Sequence, residues 1–83
     1  TNQLCAKQAD FKQLLQLIFS EDEIMQVFAT IGFRRLLSFE IDPPLQAVVD
    51  AGLVPRFIDF VKKEHNPKLQ FEAAWCMTNL ASG

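Results

Sequence analysis

The chain has 83 residues, of which 49% are hydrophobic, with eight Phe, one Trp, no Tyr and a formal charge of −2. That length makes one small domain with a marginal core, and the slightly acidic balance argues against a nucleic-acid binder, which ordinarily presents a basic surface. Cys5 and Cys76 are too few for a disulfide scaffold and lack metal-ligand spacing, and no apolar run approaches the ~20 residues of a membrane span.

Residues 1–9 are polar without a clear period and read as a frayed lead-in. Asp10 suits an N-cap, because its carboxylate can accept from backbone N–H groups of the first turn. Phe11, Leu14, Leu15, Leu17 and Ile18 then form a helical apolar face, and Ser20 opens a break. Glu21, Asp22 and Glu23 suit the positive end of a new helix. That helix is expected from Ile24 to Phe39, with Ile24, Val27, Phe28, Ile31, Leu36 and Leu37 among its apolar positions. Gly32 in its interior costs ~1 kcal/mol relative to Ala, which a close helix crossing would rationalise.

Asp42-Pro43-Pro44 is the strongest punctuation in the chain. Pro43 biases Asp42 away from the helical region, and Pro44 fits the first turn of a short helix, Pro44–Ala51, that ends at Gly52. Leu53–Glu64 follows as a helix with Pro55 in its first turn, an apolar face of Phe57, Ile58, Phe60 and Val61, and Lys62 and Lys63 at its negative end. His65-Asn66-Pro67 interrupts again, with His65 a surface-loop residue, Asn66 the cap and Pro67 the first residue of a last helix reaching Gly83. Leu69, Ala73, Met77 and Leu80 make its buried stripe. Trp75 and Asn79 lie ~40° apart on another face, where an indole offers flat apolar area and an amide offers a donor and an acceptor. Such a pair can hold an extended peptide, although a Trp on a helix is also commonly part of the core. Five helices and no strand make the fold all-α.

An offset of 44 places Gln26 on Gln70, Ala29 on Ala73, Leu36 on Leu80 and Ser38 on Ser82, and an offset of 43 places Leu14 on Phe57, Leu17 on Phe60 and Ile18 on Val61. This period falls in the ~40–47 range of armadillo and HEAT units, which stack because none buries its apolar face alone. The expected division is residues 1–9 as lead-in, 10–41 as the second and third helices of a first unit, and 42–83 as the short, medium and long helices of a second. At the 44 offset Ile31 matches Trp75 and Arg35 matches Asn79, so the face opposite the core changes character from one unit to the next. A piece of this kind, with unstacked apolar faces, is expected to self-associate or to be only partly folded.

The run AGLVPRFIDFVKK followed by NPKLQFEAAWCMTNLASG closely resembles importin-alpha, the armadillo-repeat adaptor of nuclear import, as do RRLLS at Arg34–Ser38 and the DPPL before the short helix. The resemblance is dense over residues 34–83 and looser before them. It implies recognition of Lys/Arg-rich nuclear localisation signals as extended peptides. Tryptophans of the third helices flank lysine stems, and asparagines one turn on bind the peptide backbone; Trp75 and Asn79 match such a pair. Ser82 and Gly83 match the adjacent stretch that helps to seat a lysine, and Leu37, Ser38 and Glu40 match positions contacting later residues of the signal. The resemblance also implies cargo and importin-beta as partners, the latter through a basic segment that Thr1–Ala9 does not resemble, and residence in cytoplasm and nucleus. Phe39 departs from the family where a basic residue is usual, and Phe28 and Phe33 are heavier than a first unit ordinarily carries. The alternative is a scaffolding armadillo module with a non-basic partner. No nucleophile–base–acid set, phosphate loop, metal-ligand pattern or cofactor motif points to an enzyme. Both cysteines read as reduced, small apolar residues of an intracellular protein.

Overall fold

The computed structural model describes residues 11–39 and 43–82, with the Phe39 side chain outside the description. Asp10, Glu40, Asp42, Gly83 and the lead-in with Cys5 therefore lie outside the described residues. Among the described residues five helices follow one another: α1 Phe11–Ile18, α2 Glu23–Phe39, α3 Leu45–Asp50, α4 Leu53–Val61 and α5 Pro67–Ser82.

Polar side chains start the two long helices. The Asp22 carboxylate accepts from the Ile24 N–H at 3.0 Å, and Asn66 Oδ1 accepts from the Leu69 N–H at 3.2 Å, each satisfying an N–H group that has no partner within the helix. The boundaries at Pro44 and after Val61 move, while Gly52 ends the short helix as expected. Pro44, with ψ 60°, stands just before α3 instead of inside it. Gly52, at φ 78°, both ends α3 and precedes α4 in the left-handed conformation open to glycine. Helix α4 stops at Val61 instead of Glu64, because the Lys62 and Lys63 N–H groups bond back to Asp59 and Phe60 in a tighter last turn.

Helix α2 packs between α1 and α5, α5 also packs on α4, and α3 packs on α4. Phe33 sits at the centre of this core, edge-on to Phe11 at 5.6 Å and to Phe57 at 6.4 Å. Leu14, Ile18, Val48, Leu53, Phe60, Leu69, Ala73 and Cys76 complete it. The crossing expected at Gly32 is present, since a Cβ there would lie 2.6 Å from Leu14 Cδ2.

The buried side of α2 differs from its most apolar side. Gln26, Ala29, Thr30, Phe33 and Leu37 face inward, whereas Ile24 is 73% and Phe28 56% exposed. Both buried polar residues satisfy themselves locally. Gln26 Nε2 donates to the Ser20 carbonyl at 2.7 Å, and Thr30 Oγ1 donates to the Gln26 carbonyl at 2.7 Å. Burial therefore costs them little, and hydropathy alone misplaces the face. Gln70 makes an equivalent reach to the Val61 carbonyl at 2.8 Å. The two glutamines matched by the 44-residue offset thus do the same job, each closing the turn that leads into its long helix.

Further contacts bind the early helices to the later ones. Arg56 of α4 donates to the carbonyls of Ile18 at 2.8 Å and Ser20 at 3.0 Å, so a cation closes the negative end of α1. Its guanidinium lies 4.9 Å from the Phe60 ring centre. Glu23, at the start of α2, meets Lys63 Nζ at 3.1 Å, Asn66 Nδ2 at 2.9 Å and His65 Nε2 at 2.8 Å. His65 is exposed as expected, yet it is tied to α2 across the turn.

Candidate functional site

Helices α2 and α5 run side by side in the same direction. Thr30 meets Cys76 at 3.4 Å, Arg34 meets Glu72 and Trp75, and Ser38 meets Asn79. The spacing that puts Trp75 and Asn79 on one edge of α5 also puts Arg34 and Ser38 on one edge of α2. Two cross-helix rungs result.

In the first rung the Arg34 guanidinium lies over the Trp75 ring, 4.4 Å from its centre, well within cation–π range. Phe71 stands edge-on to the same indole with ring centres 5.6 Å apart. Trp75 nevertheless remains 41% exposed, so it is a surface platform braced by Arg34 and Phe71 and not a core residue. Arg34 is anchored in turn. Its Nε donates to Glu72 Oε1, while Lys68 Nζ donates to the other oxygen at 2.9 Å. Glu72 is 1% exposed. Burial pushes its carboxyl pKa up, but the hydrogen bonds from Lys68 and Arg34 outweigh that cost and hold it below the usual value.

In the second rung Asn79 Nδ2 donates to Ser38 Oγ at 2.8 Å, which fixes the direction of the amide. Behind the rungs Cys76 is a buried free thiol, pushed up to about 12 chiefly by burial. It packs in the core against α2, with its thiol on the Thr30 carbonyl, and its burial disfavours the thiolate.

The structure brings four sequence-predicted site residues to this edge. Trp75 and Asn79 stand on α5 and Ser38 on α2, and Ser82 is exposed at the end of α5 with its hydroxyl donating to the Thr78 carbonyl at 3.0 Å. Leu37 is only 6% exposed, so its side chain belongs to the core and only its backbone is in a position to meet a ligand. Glu40 and Gly83 lie outside the described residues. Ile31, paired by the repeat with Trp75, is half-buried.

Sequence reasoning missed Arg34 and Glu72. A signal for Glu72 was present, since Leu69, Glu72, Ala73 and Cys76 share one helical spacing. A carboxylate inside such a stripe demands a cation. Which cation answers it depends on the register between α2 and α5, which no local pattern carries. Among the described residues no group of three or more His, Cys, Asp or Glu is gathered as for a metal, and no helix is long and apolar enough to cross a membrane.

The chain matches the family model of the armadillo/beta-catenin-like repeat over residues 42–82. It is 54% identical over 66 residues to importin subunit alpha-2 of Arabidopsis thaliana, covering 80% of this chain and 12% of that protein. It is 49% identical over 79 residues to importin subunit alpha-5 of the same plant, covering 88% of this chain and 15% of the relative. Importin subunit alpha-8 of Mus musculus is 43% identical over 84 aligned residues, covering 99% of this chain and 17% of the mouse protein. The chain thus spans between 12% and 17% of the length of these three relatives.

Proposed function

Because the chain belongs to the importin-alpha family of armadillo-repeat proteins, we propose that the α2–α5 edge is part of a groove that binds Lys/Arg-rich nuclear localisation signals as extended peptides. The observation that carries this reading is the half-exposed indole of Trp75 beside the fixed amide of Asn79. A peptide lying along α5 meets a flat apolar wall for the stem of a lysine or arginine. One helical turn on, it meets an amide that can bond its backbone. Ser38 and Ser82 offer hydroxyls at the same edge, Leu37 offers its backbone, and Glu40 and Gly83 extend the set in sequence.

The two units, residues 10–41 and 42–83, each contribute a long helix to this groove. Affinity arises from several such subsites in a row, so one Trp/Asn pair binds weakly. The partners under this reading are cargo signals and importin-beta, and the site of action is transport between cytoplasm and nucleus. The chemistry is recognition without catalysis or cofactor.

Titration of the protein with a lysine-rich peptide, followed by the fluorescence of its single Trp, tests the reading. Binding should change the emission. Asn79→Ala should weaken binding about tenfold, the order expected for loss of a backbone clamp. Trp75→Ala, followed by a labelled peptide, should weaken it at least as much. Unchanged affinity in the double variant would sink the groove and leave the scaffolding alternative.

A further inference from the structure

We propose that Arg34 and Arg35 form an anion-accepting subsite beside Trp75, which takes the carboxylate of an acidic residue flanking the basic run of the bound peptide. The proposal rests on the groove reading above and adds a specificity to it.

The first ground is the occupied indole face. A guanidinium 4.4 Å from the ring centre already holds it. A second cation brought to that face meets like charge at close range, a repulsion that acts against the wrong partner. The basic side chains of a peptide must therefore use the remaining surface of Trp75, and the chain segment passing over Arg34 must be something else.

The second ground is the unspent donor capacity of Arg34. Its Nε is committed to Glu72, and no hydrogen bond to its two terminal nitrogens is found among the described residues. Its side chain retains 16% exposure. A guanidinium anchored through Nε, with no described partner on its two terminal nitrogens, keeps the donors that a carboxylate uses in a two-point contact.

The third ground is the charge balance. Arg35, the next residue on α2, is exposed and has no carboxylate within ion-pair distance among the described residues. By the 44-residue correspondence it matches Asn79 of α5, which the proposed groove would turn toward the peptide. Arg34, Arg35 and Lys68 here face a single described carboxylate, Glu72, which Arg34 and Lys68 share. Among the described residues this part of the α2–α5 edge thus carries a local positive excess, in a chain whose overall charge is −2. An acidic flanking residue neutralises that excess, and a further lysine would add to it.

The test compares lysine-rich peptides carrying one Glu, or one Gln, at successive positions on either flank, with affinities measured by fluorescence anisotropy on the full chain. At one flanking position the Glu peptide should bind about threefold to fivefold more tightly than its Gln counterpart, the range of a half-exposed ion pair, and the advantage should shrink as salt rises. Arg34→Lys keeps a cation beside Glu72 but removes the planar two-nitrogen edge, and Arg35→Gln removes an exposed charge without touching the core. Each should bring the Glu/Gln ratio toward one, and R35Q should do so without weakening the Gln peptide. Thermal melting checks that both variants fold, and R35Q alone carries the test if R34K does not. Equal affinity for Glu and Gln peptides at every position overturns the proposal and leaves the groove intact, as does a preference that survives R35Q and a folded R34K. Failure of every lysine-rich peptide to bind overturns the groove reading and this proposal with it.

Discussion

Two carboxylates tie α2 to the later part of the chain, one in the interior and one at the surface. Glu72 is buried between α5 and α2, with Arg34 on one oxygen and Lys68 on the other. Glu23 stands at the start of α2 and gathers Lys63, His65 and Asn66 from the turn before α5. Hydrogen bonds, first from Asn66 and then from His65 and Lys63, lower the Glu23 carboxyl from 4.5 to about 2. The larger number of partners does not make Glu23 the stronger tie. Water and salt compete with every one of its contacts. Glu72 has paid a desolvation cost that only its cations offset, so the loss of a cation is felt in full. Under the proposed groove the interior pair also serves binding, because the cation that neutralises Glu72 is the one that braces Trp75.

The comparison can be broken in three places, from the largest expected effect to the smallest. Arg34→Ala leaves Glu72 buried with Lys68 alone and should destabilise the fold by about 2–3 kcal/mol, below the full cost of an unpaired buried charge because one partner remains. Urea unfolding measures this, and a loss near zero would show that Glu72 is hydrated and not truly buried. Lys68→Gln removes the exposed i,i+4 partner, whose side chain is 59% open, and should cost about 0.5 kcal/mol, fading at high ionic strength. Glu23→Gln should have the smallest effect on the melting temperature and the strongest dependence on salt and pH. A carboxyl whose pKa is depressed on folding stabilises the fold above its unfolded value and loses that contribution as acid is added. The difference between wild type and Glu23→Gln should therefore be full above about pH 4.5 and vanish as pH falls toward about 2. A difference that persisted at the acid end would show that the Glu23 clasp is not electrostatic.

Much of the fold is legible in single residues, and the misses share one cause. Proline, glycine and the capping Asn66 and Asp22 announce the helix starts and stops through effects that act within a turn of the chain. The helix-period spacing of Leu14 and Ile18 and of Leu69 and Ala73 shows which side turns inward. Helix α2 resists this reading because its inward positions include Gln26 and Thr30, while Ile24 and Phe28 point out. The polar groups are satisfied by nearby carbonyls, so their burial leaves no trace in hydropathy. Trp75 and Asn79 are legible as a pair because both stand on one helix. Arg34 as the brace of Trp75, and Ser38 as the partner that aims Asn79, are not, because each contact joins residues about forty positions apart.

The amino-acid order alone determined an all-α chain, its helix punctuation, its internal 43–44-residue correspondence and the candidate indole–amide pair, since all of these arise from contacts within a few turns or from repetition. Tertiary packing alone decided which face of α2 is buried, that Glu72 draws a cation across the helix interface, and that one face of Trp75 is already held by a guanidinium. Those outcomes depend on the register between α2 and α5, helices distant in the chain whose close packing no local propensity encodes.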